Sequence, residues 1–189
     1  PNLELIDRLQ TDCNRLTHLM ESVLSFARPM EYKFVPTDVG SLLRRLLERW
    51  HPRMARLNVQ SYFQIEEGTL LALADGRALD QVFTNLVSNA LNAMQETGGS
   101  LAVKVEKVSG VGGKQWVSVS ISDTGPGIPP EVREKVFEPF YTTNPQGTGL
   151  GLAITQRIVI AHKGKITVDS FPGGTIFTVL LPAVESEDS

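Results

Sequence analysis

The segment from Asp75 to about Gln95 constrains the fold most, because it predicts a helix whose two faces are both specialised. Seven apolar residues recur at the helical period and predict a face buried in a core: Leu79, Val82, Phe83, Leu86, Val87, Ala90 and Met94. The opposite face carries polar residues three or four positions apart: Gln81, Asn85, Asn89, Asn92 and Glu96. Asparagine is a poor helix former, so three of them in one row favour a ligand-binding face.

Amide side chains on such a face suit a particular class of ligand. An amide oxygen can bind a hard cation such as Mg²⁺ without adding negative charge beside a polyphosphate, and the amide nitrogen can donate a hydrogen bond. The row of asparagines therefore indicates a site for a metal-bound polyphosphate. An ordinary solvated helix face is the alternative that these residues alone leave open.

Two glycine-containing motifs follow along the chain. The first, Asp123-Thr-Gly-Pro-Gly-Ile-Pro129, comes after a predicted strand and sets an acceptor beside a backbone that a ligand can approach, although a plain turn has the same ingredients. The second, Gln146-Gly-Thr-Gly-Leu-Gly-Leu152, opens a helix predicted from Gly149 to about His162. Unpaired N–H groups at a helix start bind phosphate. The spacing matches neither the P-loop nor the dinucleotide-binding pattern, so it indicates a different nucleotide fold.

The remaining pattern mixes short strands with helices. A helix capped by Asp38 is predicted to run to about Leu57. Strand-like segments predict three hairpins, which are 58–65 with 70–74, 101–108 with 115–122, and 165–170 with 175–181. Because helices and strands do not alternate strictly, we predict an α/β (α+β) two-layer sandwich, with a mixed β-sheet covered on one face by helices.

The segment 1–30 predicts one long bundle helix that precedes the main domain. Apolar residues alternate spacings of three and four along it: Ile6, Leu9, Cys13, Leu16, Met20, Val23 and Ala27. Leu5, Leu19 and Phe26 widen this stripe, as in a four-helix bundle, and Pro29 ends the helix. One helix cannot bury that face alone. We expect a partial bundle segment over 1–30, a linker over 31–37, the main domain over 38–184 and an acidic tail over 185–189.

Composition excludes several classes of function. The 18 Lys and Arg against 21 Asp and Glu give no basic surplus, so nucleic acid is not an expected partner. Cys13 is the only cysteine, which excludes an internal disulfide and a metal site of several thiolates. No apolar run approaches the roughly 20 residues that span a bilayer. We expect a cytoplasmic chain, which does not exclude a parent protein anchored to a membrane.

Five motifs in this order resemble the histidine kinase and GHKL ATPase superfamily. They are Asn85 to Met94 (N box), Asp123 to Pro129 (first glycine box), Phe137-Glu-Pro-Phe-Tyr141 (F box), Gly147 to Leu152 (second glycine box), and Gly173-Gly-Thr-Ile-Phe177 with Leu181-Pro182 (closing strand). Phe26-Ala-Arg-Pro29 is similar to the end of the second dimerisation helix of sensor kinases. The resemblance covers nearly the whole chain and implies the Bergerat ATP-binding fold, with ATP and Mg²⁺ as cofactors.

The resemblance also implies roles for individual residues. Asp123 would accept a hydrogen bond from the adenine amino group, supported by Thr175 through water. Asn89 would hold Mg²⁺, with Asn85 beside it, and 130–146 would form a mobile lid. The other residues of the expected nucleotide site are Asn92, Gly125, Gly127, Ile128, Lys135, Tyr141, Thr142, Thr143, Gly147, Thr148, Gly149, Leu150, Gly151 and Leu152.

Two positions depart from the family pattern. Many relatives carry a lysine where Asn92 stands, and others carry a basic residue where Asn144 stands, so two expected charge partners of the phosphates are missing. Arg133 or Lys135, in the expected lid, are candidates to replace them. We therefore expect a modest affinity for the nucleotide.

The resemblance favours a kinase over a hydrolase. Hydrolysing members place a glutamate, as general base, one helical turn before the metal-binding asparagine, whereas this chain has Asn85 there. The expected reaction transfers the γ-phosphate of ATP to a histidine on an upstream helix absent from this chain, for relay to a response regulator receiver domain, in a full-length homodimer. His18, His51 and His162 are not expected to be that acceptor. A serine kinase resembling anti-sigma regulators, or a module that only senses nucleotide, is the alternative.

Overall fold

A computed structural model describes residues 31–66, 68, 70–144 and 147–184, together with nine residues between positions 6 and 24. The strands are β1 (Val35–Asp38), β2 (Val59–Ile65), β3 (Leu71–Ala74), β4 (Gly99–Ser109), β5 (Gln115–Asp123), β6 (Lys165–Phe171) and β7 (Gly174–Pro182). The helices of the main domain are α1 (Val39–Arg56), α2 (Gly76–Ala93), α3 (Pro130–Arg133) and α4 (Gly151–Ala161), with 3₁₀ turns at Val111–Gly113 and Glu134–Phe137.

The main sheet is mixed, with five strands in the order β2-β4-β5-β7-β6. β2 and β4 run parallel, and the other neighbouring pairs are antiparallel. α2 lies centrally, in contact with α1, with α4 and with the sheet. The sheet residues beneath the helices are apolar and buried: Leu101, Val103, Val105, Val117, Val119, Ile121, Phe177, Val179 and Leu181. The predicted fold class, a mixed sheet with helices packed on one face, is confirmed.

Strand pairing is where the sequence-based prediction is partly wrong. The hairpins β4–β5 and β6–β7 form as predicted, but β2 does not pair with β3. Instead β2 runs parallel to β4, beginning with Val59 opposite Gly99, and β3 pairs antiparallel with β1 in a separate sheet. Parallel strands need a crossover connection, which α2 supplies here. The second half of the predicted linker is therefore strand β1 of the domain.

The two long helices of the domain begin at the predicted caps. The carboxyl group of Asp38 accepts a hydrogen bond from the backbone N–H of Ser41 (3.0 Å), which caps α1. Asp75 accepts from the backbone N–H groups of Arg77 (2.9 Å) and Ala78 (3.2 Å), which caps α2. Asp75 also accepts a 2.9 Å hydrogen bond from the backbone N–H of Lys33, so the chain before β1 is attached to the start of α2.

The described residues of the N-terminal segment are helical and exposed, and they include most of the predicted apolar stripe: Ile6, Leu9, Cys13, Leu16, Met20 and Val23. The helix predicted there is confirmed at these positions. Its predicted end at Pro29, His18 and the predicted acidic tail 185–189 lie outside the described residues. Within the described part of the chain, no helix is both long and apolar enough to cross a bilayer.

Candidate nucleotide-binding site

A cavity of about 410 Å³ lies between the C-terminal half of α2, the end of β5, the β6–β7 hairpin and the glycine-rich loops. Most of the residues predicted for the nucleotide site line it: Asn89, Asn92, Asp123, Gly127, Ile128, Tyr141, Thr142, Thr143, Gly147, Thr148, Gly149, Gly151, Leu152 and Thr175. The motifs are separated by tens of positions in the sequence, and the fold brings them to one place.

The carboxyl group of Asp123 is fixed at the end of β5 and is 5% exposed. Its Oδ1 accepts a 2.9 Å hydrogen bond from the backbone N–H of Gly125, and the backbone N–H of Thr175, opposite on β7, also donates to it. Burial raises the pKa of Asp123 above its usual range, although both hydrogen bonds act in the opposite direction. The cavity thus contains a fixed and poorly hydrated acceptor, suited to an N–H group of a ligand.

Ser170 attaches the first glycine motif to the β6–β7 hairpin. Its hydroxyl accepts a 2.7 Å hydrogen bond from the backbone N–H of Ile128 and donates a 3.0 Å hydrogen bond to the carbonyl oxygen of Gly174. Gly127 lies in the same loop with φ of 84°, and a Cβ there would collide with the carbonyl oxygen of Phe171. Only glycine fits, and the loop backbone forms part of the cavity wall.

The three asparagines of α2 take different positions. Asn89 and Asn92 line the cavity. Asn85 joins α2 to α4 instead, because its Nδ2 donates to the carbonyl oxygen of Gly151 (3.0 Å) and to Oγ1 of Thr155 (3.2 Å). In that orientation Oδ1 of Asn85 accepts no hydrogen bond from the residues that the structure describes.

The start of α4 has no side-chain cap among the residues that the structure describes. Gly149, just before it, has φ of 70°, and a Cβ there would collide with the backbone of Phe140. The carbonyl oxygen of Gly149 accepts a 2.9 Å hydrogen bond from the backbone N–H of Phe140, which holds the loop against the helix start. The first N–H groups of α4 therefore remain available to an anionic ligand at the cavity.

The segment predicted as a lid contains α3 and the 3₁₀ turn Glu134–Phe137. Phe137 packs edge-on against Phe177 at 6.3 Å between ring centroids, so it belongs to the apolar base of this segment. Arg133 donates through Nη2 to the carbonyl oxygen of Ser170. Arg133 is thus engaged with the β6–β7 hairpin, which argues against it as the replacement for the missing basic residues.

Four predicted residues do not line the cavity. Asn85 and Gly125 lie beside it through the contacts given above, and Lys135 is exposed on the 3₁₀ turn. Leu150 is completely buried in the core, so its side chain cannot contact a ligand, and only the backbone at this position is close to the helix start. The motif gave no indication of this, because it does not distinguish backbone from side-chain contacts.

Besides the predicted Ile128 and Leu152, the cavity has apolar lining residues that were not predicted from the sequence, among them Ala90, Ala93, Val132, Val136 and Phe177. An apolar wall of this kind suits a flat aromatic ring. Ala90 and Ala93 each come directly after an asparagine of the row, so their small size at the border between the two faces of α2 was the available sign. The structure also places His162 in the core at 2% exposure and His51 at the surface.

The family model described as "Histidine kinase-, DNA gyrase B-, and HSP90-like ATPase" matches residues 74–185, a range that contains every lining residue named above. The chain belongs to this family. It carries an ATP-binding domain of the GHKL type, in agreement with the mixed sheet and the motif order.

Named relatives extend the similarity beyond the matched domain. The chain is 33% identical over 199 residues to the sensory histidine kinase/phosphatase NtrB of Rhodobacter capsulatus, covering 98% of this chain and 54% of NtrB. Full-length ShkA in complex with AMPPNP is similar with a TM-score of 0.81 and 29% identity, over 97% of this chain and 39% of ShkA. ThkA in complex with the response regulator TrrA is similar with a TM-score of 0.79 and 27% identity, over 96% of this chain and 51% of ThkA. The chain spans about half of the length of these relatives, or less.

Proposed function

We propose that this chain is the ATP-binding catalytic part of a two-component sensor histidine kinase. It would transfer the γ-phosphate of ATP to a histidine on a dimerisation helix outside this sequence, for relay to an aspartate of a response regulator. The observation that carries the proposal is one cavity in which a buried carboxyl group, two amides and a bare helix start face a common space. The GHKL family membership supports the same function.

Different lining residues would contact the adenine base and the phosphates. The carboxyl group of Asp123 would accept a hydrogen bond from the adenine amino group, and the apolar wall with Ala93 and Phe177 would cover the ring. The bare N–H groups at the start of α4 would donate to phosphate oxygens. Thr148 and Gly147, which precede α4, would place the loop backbone around the same groups.

The donor set also fits Mg²⁺. No group of three or more His, Cys, Asp or Glu side chains in the described residues could hold a metal, so a cation would be bound mainly by amide oxygens, phosphates and water. Mg²⁺ keeps several waters and accepts such a site. Asn89, which lines the cavity, would hold it directly, and Oδ1 of Asn85, beside the cavity at Gly151, would be a second ligand. The cation would neutralise phosphate charge.

Transfer to a histidine is favoured over hydrolysis because none of the described residues at the start of α4 can act as a general base. Asn85 contacts that helix start through the carbonyl oxygen of Gly151, and its amide cannot take a proton from water. Phosphoryl transfer needs mainly positioning and charge stabilisation, which this cavity can supply. His162 is buried, so it would have to leave the core to reach ATP.

The expected partners follow from the same assignment. ThkA has been solved with the response regulator TrrA, and we infer an equivalent receiver domain as the phosphate recipient of this protein. The exposed apolar residues of the N-terminal helix, such as Leu9 and Leu16, support a helical bundle with a second copy. We infer a homodimer for the full-length protein.

Isothermal titration with ATP, with and without Mg²⁺, tests the cavity. Asp123→Asn should weaken ATP binding about 10- to 100-fold, because it replaces an ionised acceptor with an amide. Asn89→Ala should remove most of the Mg²⁺ dependence. Asp169→Asn, which changes an exposed carboxyl group on β6, is the matched control and should bind ATP like the wild type. Equal affinities for the wild type and Asp123→Asn would contradict the assignment.

A second arm of this test separates the kinase from its alternatives. The protein is incubated with radiolabelled ATP and a histidine-bearing dimerisation segment of the full-length protein. Acid-labile, base-stable label on that segment is the expected result, and it should disappear when the acceptor histidine is replaced by alanine. Acid-stable label would indicate a serine kinase, and binding without transfer would indicate a nucleotide sensor.

A further inference from the structure

The side chain of Arg53 joins α1 to the asparagine row of α2. Its Nη2 donates a 2.7 Å hydrogen bond to Oδ1 of Asn92, which lines the cavity, while Arg53 itself does not. The guanidinium group also lies over the ring of Trp50, 5.3 Å from its centroid, and Arg53 is half-buried. A positively charged side chain that belongs to none of the recognised motifs is therefore held directly behind Asn92, which lines the cavity.

The contact fixes which end of the Asn92 amide faces the cavity. A guanidinium group has donors only, so the atom that it meets must be the amide oxygen. With Oδ1 occupied, the NH₂ end remains for a ligand, and no acceptor within the described residues contacts it. Asn92 is thereby set as a donor, which suits a phosphate oxygen and not a metal ion.

A second arginine on the same helix joins α1 to α2 through a residue that does not line the cavity. Arg49, one turn earlier on α1, donates to both carboxylate oxygens of Asp80 at 2.7 and 2.9 Å. That pair is exposed and its charges cancel. Arg53 meets a neutral amide instead, and it forms no ion pair with an acidic residue in the described part of the chain. Within the described residues, its positive charge is therefore not neutralised by an ion pair.

The position of Asn92 along α2 indicates which part of the nucleotide it would meet. Asn85, toward the N-terminal side of Asn92, contacts Gly151 at the start of α4, whereas Ala93 lies against Gly125 beside the carboxyl group of Asp123. Asn92 thus stands along the path from the adenine end to the helix start, where the phosphate chain would pass.

We propose that Arg53 is a positioning residue for polyphosphate nucleotides: it holds the NH₂ group of Asn92 toward the phosphates and adds positive charge behind it. The inference rests on the proposed function of this cavity. It assigns to an arginine of α1 the favourable charge that neither Asn92 nor Asn144 supplies. It applies to ATP and ADP, and it predicts no effect on adenosine, which has no phosphate.

The test compares ATP with adenosine by isothermal titration. Arg53→Ala should lower the affinity for ATP about tenfold and change the affinity for adenosine less than about twofold. Arg49→Ala, the matched control, removes a cation and an interhelical contact from the same helix, and it should change neither affinity. Arg53→Lys, which retains charge and donor, should recover most of the ATP affinity.

A double-mutant cycle shows whether Arg53 acts through Asn92. Arg53→Ala should weaken ATP binding much less in an Asn92→Ala background than in the wild type. If Arg53→Ala unfolds the domain, Arg53→Met, which retains the side-chain stem, replaces it in both arms. Unchanged ATP affinity in a folded Arg53 variant, or an equal loss for ATP and adenosine, would overturn the inference alone. A wild type that binds neither ligand would overturn the proposed function as well.

Discussion

The two long helices that line the cavity, α2 and α4, begin in opposite ways. α2 starts at Asp75, whose carboxyl group accepts two backbone N–H groups of the first turn, and this start is joined to the preceding chain by Lys33. α4 begins at Gly151, which lines the cavity, and Leu150 before it provides no side-chain cap within the described structure. A cap satisfies the first N–H groups and stabilises the fold, whereas a bare start keeps them for a ligand.

The same contrast governs what each helix offers the site. α2 presents side chains from its C-terminal half, Asn89 and Asn92, on a helix anchored at its far end. α4 presents backbone groups, so the identity of its side chains matters less than the shape of the loop before it. Substitutions in α2 should therefore change ATP affinity by removing side-chain contacts, whereas substitutions before α4 should change it by altering the backbone conformation.

The largest expected effect comes from Gly149→Ala, which changes the loop before the uncapped start of α4. At φ of 70° a side chain is strained, and its Cβ would collide with the backbone of Phe140, so the loop must move away from α4. ATP affinity should fall about 100-fold, and adenosine affinity should fall much less, as measured by titration. Gly151→Ala is the control for folding. A Cβ at this position would lie 3.8 Å from Asn85, which is an ordinary contact, so the melting temperature of this variant should not fall. A Gly149→Ala protein that retains wild-type ATP affinity would contradict the role of this backbone.

A smaller effect is expected from removing the capped start with Asp75→Ala. The variant loses the acceptor for Arg77, Ala78 and Lys33, so the free energy of unfolding should fall by about 1 kcal/mol. ATP affinity should change little, because the cap lies far from the cavity residues of α2. Urea unfolding and titration on the same variant measure both quantities. A loss of ATP affinity as large as that of Gly149→Ala would remove the distinction between the two helix starts.

The smallest expected effect is a pair of opposite pH dependences at two carboxyl groups. Hydrogen bonds, chiefly from Lys33, lower the pKa of Asp75, so its stabilisation is present above the ordinary aspartate pKa and is lost as pH falls through the lowered value. Burial raises the pKa of Asp123. Its contribution to the free energy of unfolding is therefore greatest at low pH and is lost as pH rises through the raised pKa. Acidification should therefore narrow the stability gap between wild type and Asp75→Ala.

The same acidification should raise wild-type stability relative to Asp123→Asn, because the buried charge of Asp123 is neutralised. Urea unfolding of the three proteins between about pH 7 and pH 3 measures both differences. If both stability differences changed with pH in the same direction, the two carboxyl groups would have similar environments, contrary to the burial of Asp123 and the capping hydrogen bonds of Asp75.

The parts of the site that could be predicted from the sequence are those marked by patterns among neighbouring residues. The asparagine row follows the helical period of α2, the caps Asp38 and Asp75 precede their helices, and most motif residues line the cavity. The prediction did not extend to residues whose role depends on distant contacts. Arg53 lies in no recognised motif, and nothing near it in the sequence indicates that its partner is Asn92, on another helix.

The sequence by itself determined the three long helices of the main domain, the caps of α1 and α2, the two later hairpins and the family, because periodicity, capping and tight turns act over a few neighbouring residues. Only the tertiary structure decided that β2 pairs in parallel with β4, that β3 pairs with β1, and that Leu150 points into the core. Short apolar strands fit several partners, and the partner is chosen by how α2 packs on the sheet, which is a property of the whole domain.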